Sequence, residues 1–389
     1  MKKNLRGFTL KELEEFAISI GEQKYRGKQL FNWLYTREAG SFGEMTSLSN
    51  ALREKLSSVA TIDSLKPIEI QESRRDGTTK FLFQLGDGKR VECVLIPPRT
   101  AFDSPDARSE EEQQRLTLCV STQVGCPLDC KFCATATMGF LRNLTAGEIV
   151  GQVLEAKKIS GKSITNLVYM GMGEPLLNYE EVMKSVEIIT NGMNIAPRRI
   201  TVSTAGLTPE IHQMADEKRK VKLAVSLHTL DDAARASLMP IGKKYSLDDL
   251  LNSTEYYYRK TRRRVTFEYI LFDGWNDRDE DVARLVKLAK RIPCKVNIIP
   301  FHSIEFTHPT GLSAKLLPTP PARADEFVRK LREAHLTVFV RSSAGEDIDA
   351  ACGQLAVKVR RMQEDRRTVS GHKPPAHNIL RKESFGKSL

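Results

Sequence analysis

The 389-residue chain has 60 Lys and Arg against 49 Asp and Glu, a formal net charge of +11, with 40% hydrophobic and 7% aromatic residues. That is enough apolar material for a large catalytic domain and a smaller one. No apolar run approaches a bilayer span, and MKKNLRGFTLKELEEF starts basic without the apolar core of a secretory leader, so a soluble cytoplasmic protein with no membrane partner is expected. The basic balance points to a polyanion, RNA or DNA first, although a generally basic surface gives the same composition. Seven cysteines, an odd number without a leader, argue against a secreted disulfide framework.

Residues 9–58 read as helices: LKELEEFAISI, KYRGKQLFNWLY and NALREKLSSV each space apolar residues at three and four. The second sets Lys24, Arg26 and Lys28 beside Phe31, Trp33 and Tyr35, a pattern that suits either RNA contact or an ordinary packed helix. The period then changes to two. KPIEIQE, TKFLFQL and RVECVLIP alternate, with turn residues in RRDGT and GDGK between them, which predicts an antiparallel meander. TAFDSPDARSEEEQQR follows as a charged loop.

From residue 116 strands and helices alternate. The strands are TLCVST, NLVYMG, RITVST, KLAVSL, TFEYIL, KVNIIP and TVFVRS, with helices such as AGEIVGQVLEAKKI and EDVARLVKLAKRI between them. Alternation of this kind builds a parallel sheet, and six or seven such units suit a partial or full βα barrel. Its site then lies at the C-terminal ends of the strands. The fold class is therefore α/β, with a small N-terminal helical domain (1–62), the meander and loop (63–115), the barrel core (116–357) and a flexible basic tail (358–389).

Three cysteines fall within eight residues just after the first barrel strand: Cys126, Cys130 and Cys133, spaced C-x3-C-x2-C. A structural zinc site wants four ligands, usually in two pairs, and no second pair exists. Three thiolates instead leave one iron of a [4Fe-4S] cluster open to a small chelating ligand. Phe132 stands beside Cys133, placed to screen such a cluster from solvent.

This loop at the end of the first barrel strand resembles the radical S-adenosylmethionine (SAM) superfamily. In that superfamily the open iron chelates the amino and carboxylate groups of SAM, and one electron cleaves SAM to methionine and a 5′-deoxyadenosyl radical. GMGEP (171–175), STAG (203–206), SLH (226–228) and DIDAACGQL (347–355) narrow the resemblance to the RlmN/Cfr family of RNA methyltransferases, from about residue 22 to 357. The resemblance implies SAM contacts by Gly173, Glu174, Ser203, Ser226, Leu227 and His228. Where many family members carry an asparagine that contacts SAM, this chain has His302, whose imidazole can also hydrogen-bond a ribose or carboxylate.

The chemistry that the resemblance implies starts from a mismatch. Carbon 2 of adenine is electron-poor and the SAM methyl is electrophilic, so direct transfer between them is not feasible. A first SAM methylates Cys352, whose thiolate is a competent nucleophile. A second SAM yields the radical that takes hydrogen from that methyl, and the resulting carbon adds to adenine. Cys119 then attacks Cys352 to form a transient disulfide, and Glu92 is the proton acceptor. Read without the resemblance, Cys119 is a buried core thiol, Cys352 a small buried residue and Glu92 an ordinary strand residue. The implied substrates are 23S rRNA at the peptidyl transferase centre and tRNA next to the anticodon, methylated by a monomer served by flavodoxin or ferredoxin. Methylation at carbon 8 of the same ribosomal adenosine would use the same residues, and the RlmN-like character of the N-terminus favours carbon 2. A non-enzymatic iron-sulfur RNA-binding module would need neither Cys119, Cys352 nor GMGEP.

Overall fold

The computed structural model describes residues 2–98, 115–341 and 343–355. Nearly all of the charged loop after the meander and the whole basic tail from 358 lie outside the described residues.

The N-terminal segment is helical, as its three-four periodicity demands. It comprises α1 (Leu10–Ser19), α2 (Tyr25–Phe31) and α3 (Asn50–Val59). Thr9 and Glu12 form a reciprocal cap that starts α1. Gly27 lets α2 cross α1 closely, since a Cβ there would sit 2.4 Å from the Glu14 nitrogen. A short parallel pair, β1 (Lys3–Asn4) with β2 (Ala60–Thr61), closes the segment, and no periodicity in two-residue strands signals it. The chain leaves α2 through a π-helical turn at Asn32–Thr36 that buries Trp33, Leu34 and Tyr35. Phe31, Trp33 and Tyr35 are thus core residues rather than a row of exposed rings, while Tyr25 is exposed. Arg37 lies over the Trp33 ring, its guanidinium 4.6 Å from the centroid. Together with Tyr25, Lys28, Gln29, Asn32 and Ser47 the two line a shallow surface hollow.

The meander forms as its alternation predicts: β3 (Lys66–Glu72), β4 (Thr79–Gln84) and β5 (Arg90–Ile96), antiparallel throughout. It is not a separate sheet. β5 pairs antiparallel with β6 (Thr117–Cys119), so the meander extends the barrel sheet past residue 115. Beyond β6 a side hairpin, β7 (Gln123–Gly125) and β8 (Phe140–Asn143), frames the cysteine loop. The repeat then runs α4 (Ala146–Ser160), β9 (Asn166–Tyr169), α5 (Tyr179–Gly192), β10 (Ile200–Thr204), α6 (Thr208–Asp216) and β11 (Lys222–Ser226). It continues with α7 (Asp232–Leu238), α8 (Leu247–Thr261), β12 (Val265–Leu271), α9 (Asp279–Arg291), β13 (Cys294–Pro300), α10 (Pro321–Glu333) and β14 (Val338–Val340).

The result is one ten-stranded sheet in the order β14-β13-β12-β11-β10-β9-β6-β5-β4-β3. From β6 to β14 every pairing is parallel. Among the described residues the two edge strands, β3 and β14, do not pair, so the barrel is partial rather than full.

Register decides which side chains face inward, because strand residues alternate faces. Cys119 pairs with Val94 and Val168, Ser203 with Ala224, Ser226 with Glu268, and Glu268 with Asn297. Following that parity, Lys80, Glu92, Cys119, Met170, Ser203, Ser226, Glu268, Asn297 and Arg341 share the concave face. The opposite parity gives Leu118, Tyr169, Val202, Val225, Phe267, Tyr269, Val296 and Val338, all buried in the main core beneath the helices. Each such side chain contributes about 1.5–3 kcal/mol by leaving water. Apolar burial on the helix side therefore fixes the polar row on the other.

Candidate active site

The cysteine loop is held by backbone geometry. Gly125 has φ +78° and lies against the facing strand, where a Cβ would come within 1.8 Å of the Gly139 oxygen. Cys126 N–H donates to that same oxygen at 3.0 Å, and Cys133 N–H donates to Cys130 O at 3.2 Å. Lys131 N–H donates to Leu238 O at 2.9 Å, which pins the loop to the end of α7. Cys130 and Phe132 pack with Leu128 on a second apolar cluster at the strand ends, made by Ile270, Phe272, Ile299 and Phe301.

The three thiols are suited to a cluster. Burial raises all three, Cys126 to about 12, and each of Cys126 and Cys130 is raised further by its neighbours. Such thiols are inert alone and lose their protons when iron replaces them. The fully buried Arg235 guanidinium adds a compensating positive charge near Cys130; its Nη2 donates to Ala205 O at 2.6 Å. Among the described residues no group of three His, Cys, Asp or Glu is gathered for a single metal ion. With three thiols and an apolar shell, the donor set fits a [4Fe-4S] cluster with one iron left for another ligand, and Cys126, Cys130 and Cys133 are the residues that would hold it.

The segments proposed to meet SAM sit around this loop. Gly173 has φ +96° and its Cβ position is 2.5 Å from the Gln123 Cβ, so only glycine fits. Glu174 is buried, and its two oxygens accept from Leu176 N–H at 3.0 Å and Ala205 N–H at 2.7 Å. Burial pushes its carboxyl up to about 7, and those backbone donors oppose the shift. A ligand ammonium would share this carboxylate with the STAG turn. Ser203 and Ser226 stand half-buried on the concave face.

His228 is buried in a left-handed conformation, φ +58°, with its Nδ1 accepting from Ile270 N–H at 3.1 Å. Burial lowers its pKa to about 3, so the ring is neutral with its proton on Nε2, and it packs edge-on against Phe132. Leu227 is closed off in the core and its N–H is already given to Glu268 O. His302 is buried beyond β13, with Nδ1 3.5 Å from Glu346 of the Cys352 loop.

The fold brings Cys119 and Cys352 into one neighbourhood across 233 positions of sequence: Cys352 raises the Cys119 thiol electrostatically, and the Arg341 guanidinium acts on Cys119 while its Nη1 lies 3.8 Å from Cys352 Sγ. Cys119 is buried on β6, where burial pushes its thiol up to about 12. Cys352 is exposed on a loop, and the next residue, Gly353, accepts from Ala134 N–H at 2.6 Å, tying that loop to the cysteine loop. The β3–β4 hairpin clamps the other side. Ser73 Oγ donates to Asp347 at 2.7 Å, Gly345 N–H to Asp76 at 2.9 Å, and Lys80 Nζ to Ile348 O at 2.6 Å. Glu92 is buried on the same concave face as Cys119, with Ser121 Oγ donating to its backbone oxygen at 2.6 Å.

Four residues here have no motif: Met170, Glu268, Asn297 and Arg341. The Arg341 guanidinium lies 3.8 Å from Cys352 Sγ, 3.5 Å from Met170 Sδ and 3.7 Å from Glu268 Oε2, and Asn297 donates to Glu268 Oε1 at 2.9 Å. A signal was present in VTFEYIL and CKVNIIP, where polar residues recur at alternate, inward positions of an otherwise apolar strand: Thr266 and Glu268, Lys295 and Asn297. Arg341 carried none, because it follows the strand VFV where loops are ordinarily polar.

A three-cysteine loop inside the C-terminal rim of a partial βα barrel defines a radical SAM enzyme, and residues 120–286 match the Radical SAM superfamily model. Residues 3–62 match the ribosomal RNA large subunit methyltransferase N-terminal domain. The chain is 43% identical to a probable dual-specificity RNA methyltransferase RlmN of Syntrophomonas wolfei over 92% of its length and 99% of the relative's. It is 40% identical to one of Staphylococcus carnosus over 93% and 95%. A crystal structure of a radical SAM methyltransferase from Sphaerobacter thermophilus superposes with a TM-score of 0.79 at 40% identity, covering 90% of this chain and 98% of that one. The chain belongs to the RlmN family of radical SAM RNA methyltransferases.

Proposed function

We propose that this protein methylates carbon 2 of adenosine in 23S rRNA, at the peptidyl transferase centre, and in tRNA, next to the anticodon. The observation that carries the reading is the meeting of Cys119 and Cys352 beside the cluster-binding loop. A buried thiol on a strand and an exposed one on a glycine-flanked loop are what a shuttle and its resolving partner require. When bound, the cluster and SAM supply one-electron chemistry that reaches an electron-poor carbon. Two SAM molecules serve each turnover, one for each half of the work.

The chain's own residues do the rest. Cys352 Sγ accepts a methyl group and presents it to the base from its exposed loop. Once the methyl carbon is bonded to adenine, Glu92, buried on the same face, accepts a proton, and Cys119 attacks Cys352 Sγ to free the product. The protonated Cys119 is a poor nucleophile, so it loses its proton only as it attacks. Residues 1–62 provide the RNA-facing domain, with the hollow around Tyr25, Lys28 and Arg37 on its surface. The protein works as a cytoplasmic monomer reduced by flavodoxin or ferredoxin.

RNA from a deletion strain, read by mass spectrometry, should lack 2-methyladenosine in both RNAs, and the wild-type gene should restore it. Cys352→Ala should restore nothing, with neither methylated protein nor RNA adduct formed. Cys119→Ala should accumulate protein crosslinked to RNA. Loss of 8-methyladenosine instead, or normal turnover by either variant, contradicts the reading.

A further inference from the structure

The three edges of the Arg341 guanidinium meet three different partners. Nε faces Glu268 at 3.7 Å, Nη1 faces Cys352 Sγ at 3.8 Å, and Nη2 faces Met170 Sδ at 3.5 Å. Its backbone N–H donates to Ile298 O at 2.8 Å, so the residue is anchored at the end of β13. Glu268 is buried and itself held by Asn297 at 2.9 Å. A planar fork gripped on one edge is pre-organised on the other two, which a flexible ammonium is not.

The electrostatics point the same way. Glu268, Cys352 and Cys119 each raise the Arg341 pKa, which keeps the guanidinium charged. In return Arg341 favours the anionic form of Cys119, against burial and the neighbouring Cys352. The titratable and charged groups around these sulfurs are Arg341 with Glu268 behind it, Cys93 on the Cys119 side and Cys133 on the Cys352 side; of these Arg341 is the cation.

We propose that Arg341 is a positioning residue for the two-cysteine chemistry, holding the Cys352 sulfur toward Cys119 and placing a positive charge beside whichever of them is anionic. The importance of that sulfur pair rests on the proposed function. The placement does not, because it concerns only how two thiols of this chain meet. Without the cation, the strand thiol would have to ionise while buried and the loop thiol would have one fewer tether.

The test uses anaerobic holoprotein without SAM or RNA. Oxidised glutathione is added and closure of the Cys119–Cys352 disulfide is followed by acid quenching and peptide mass spectrometry. In the first exchange the Cys352 thiolate attacks the glutathione disulfide and one glutathione thiolate leaves. In the second the Cys119 thiolate attacks Cys352 Sγ and the other leaves; each cysteine gives its proton to water, and the oxidant takes up two electrons. Arg341→Met should slow closure at least about tenfold and move its pH-rate profile to higher pH. Arg341→Lys, which keeps the charge and loses the fork, should recover part of the rate. Arg341→Gln, a polar neutral replacement, gives the same readout if the methionine variant does not fold. Closure rates and pH profiles within twofold of wild type in the neutral variants would overturn the proposal. Failure of the functional reading looks different: wild-type Cys352 would never carry a methyl group, whatever Arg341 does to closure.

Discussion

The strand that carries Cys119 and the loop that carries Cys352 solve opposite problems. Cys119 sits in a ladder between β5 and β9, buried, its place set by backbone pairing on both sides. Cys352 is exposed on a loop held mainly by single contacts: Lys80, Ser73 and Asp76 from the meander, Gly353 to Ala134, and Arg341 at the sulfur. Under the proposed function Cys352 carries a methyl between two sites, which suits a support that can be released piece by piece. The resolving role proposed for Cys119 suits a fixed address. The cysteine loop of the cluster resembles the strand more than the loop, since its geometry is imposed by a glycine that tolerates no side chain.

The sharpest way to break this contrast is to damage the fixed part. Gly125→Ala would place a methyl 1.8 Å from the Gly139 oxygen and strain a backbone at φ +78°. The β7–β8 hairpin must open, and Cys126, which donates to that oxygen, must move with it. Iron content after anaerobic purification should fall from about four per chain to near zero, while far-ultraviolet circular dichroism stays close to wild type. Full iron loading in the variant would show that the loop is not fixed at this point.

A milder change tests the releasable part. Lys80 is buried on the concave face and its ammonium donates to the carbonyls of Ile348 at 2.6 Å and Asp349 at 3.3 Å. Hydrogen bonds to a charged group contribute about 1.5–3 kcal/mol. Lys80→Met should therefore raise local opening of the loop roughly ten- to a hundredfold. Hydrogen exchange at Ala350 N–H, which donates to Gly345 O at 2.9 Å, should speed up accordingly, with α4 amides unchanged. Equal exchange in both proteins would mean that the meander does not hold this loop.

The sequence and the structure agree most where one residue type leaves one chemical choice. Three cysteines at C-x3-C-x2-C spacing and a strict strand-helix alternation are legible because periodicity and ligand count are local properties. The meander was legible for the same reason, but its union with the barrel sheet was not, since pairing of β5 with β6 spans the long charged segment between them. The inward row of Lys80, Glu268 and Asn297 was missed because a polar residue within a strand has no meaning until register assigns it a face, and Arg341 because it lies just past the end of β14. Trp33 and Tyr35 were ambiguous because an aromatic beside lysines reads alike in a core and on a surface; the π-helical turn that buries them has no sequence marker.

The smallest expected effect concerns His228, which packs between the cysteine loop and the strand β12. Its neighbours leave no room for a charge: Nδ1 accepts from Ile270 N–H, Phe132 covers the ring, and buried Arg235 adds a repelling positive charge. The folded pKa of about 3 lies below the ordinary 6.5, so the unfolded chain binds the extra proton first. The stability that this histidine contributes is fully present above pH 6.5 and is lost as pH falls toward 3. A single proton limits the slope to about 1.4 kcal/mol per pH unit. His228→Asn, which does not titrate and tolerates the left-handed backbone, should flatten that slope by up to this amount. Urea midpoints measured from pH 7.5 down to pH 5 compare the two slopes directly. If both proteins weaken in parallel with acid, His228 already shares its proton with something in the folded state, and the rim is less closed to charge than its contacts imply.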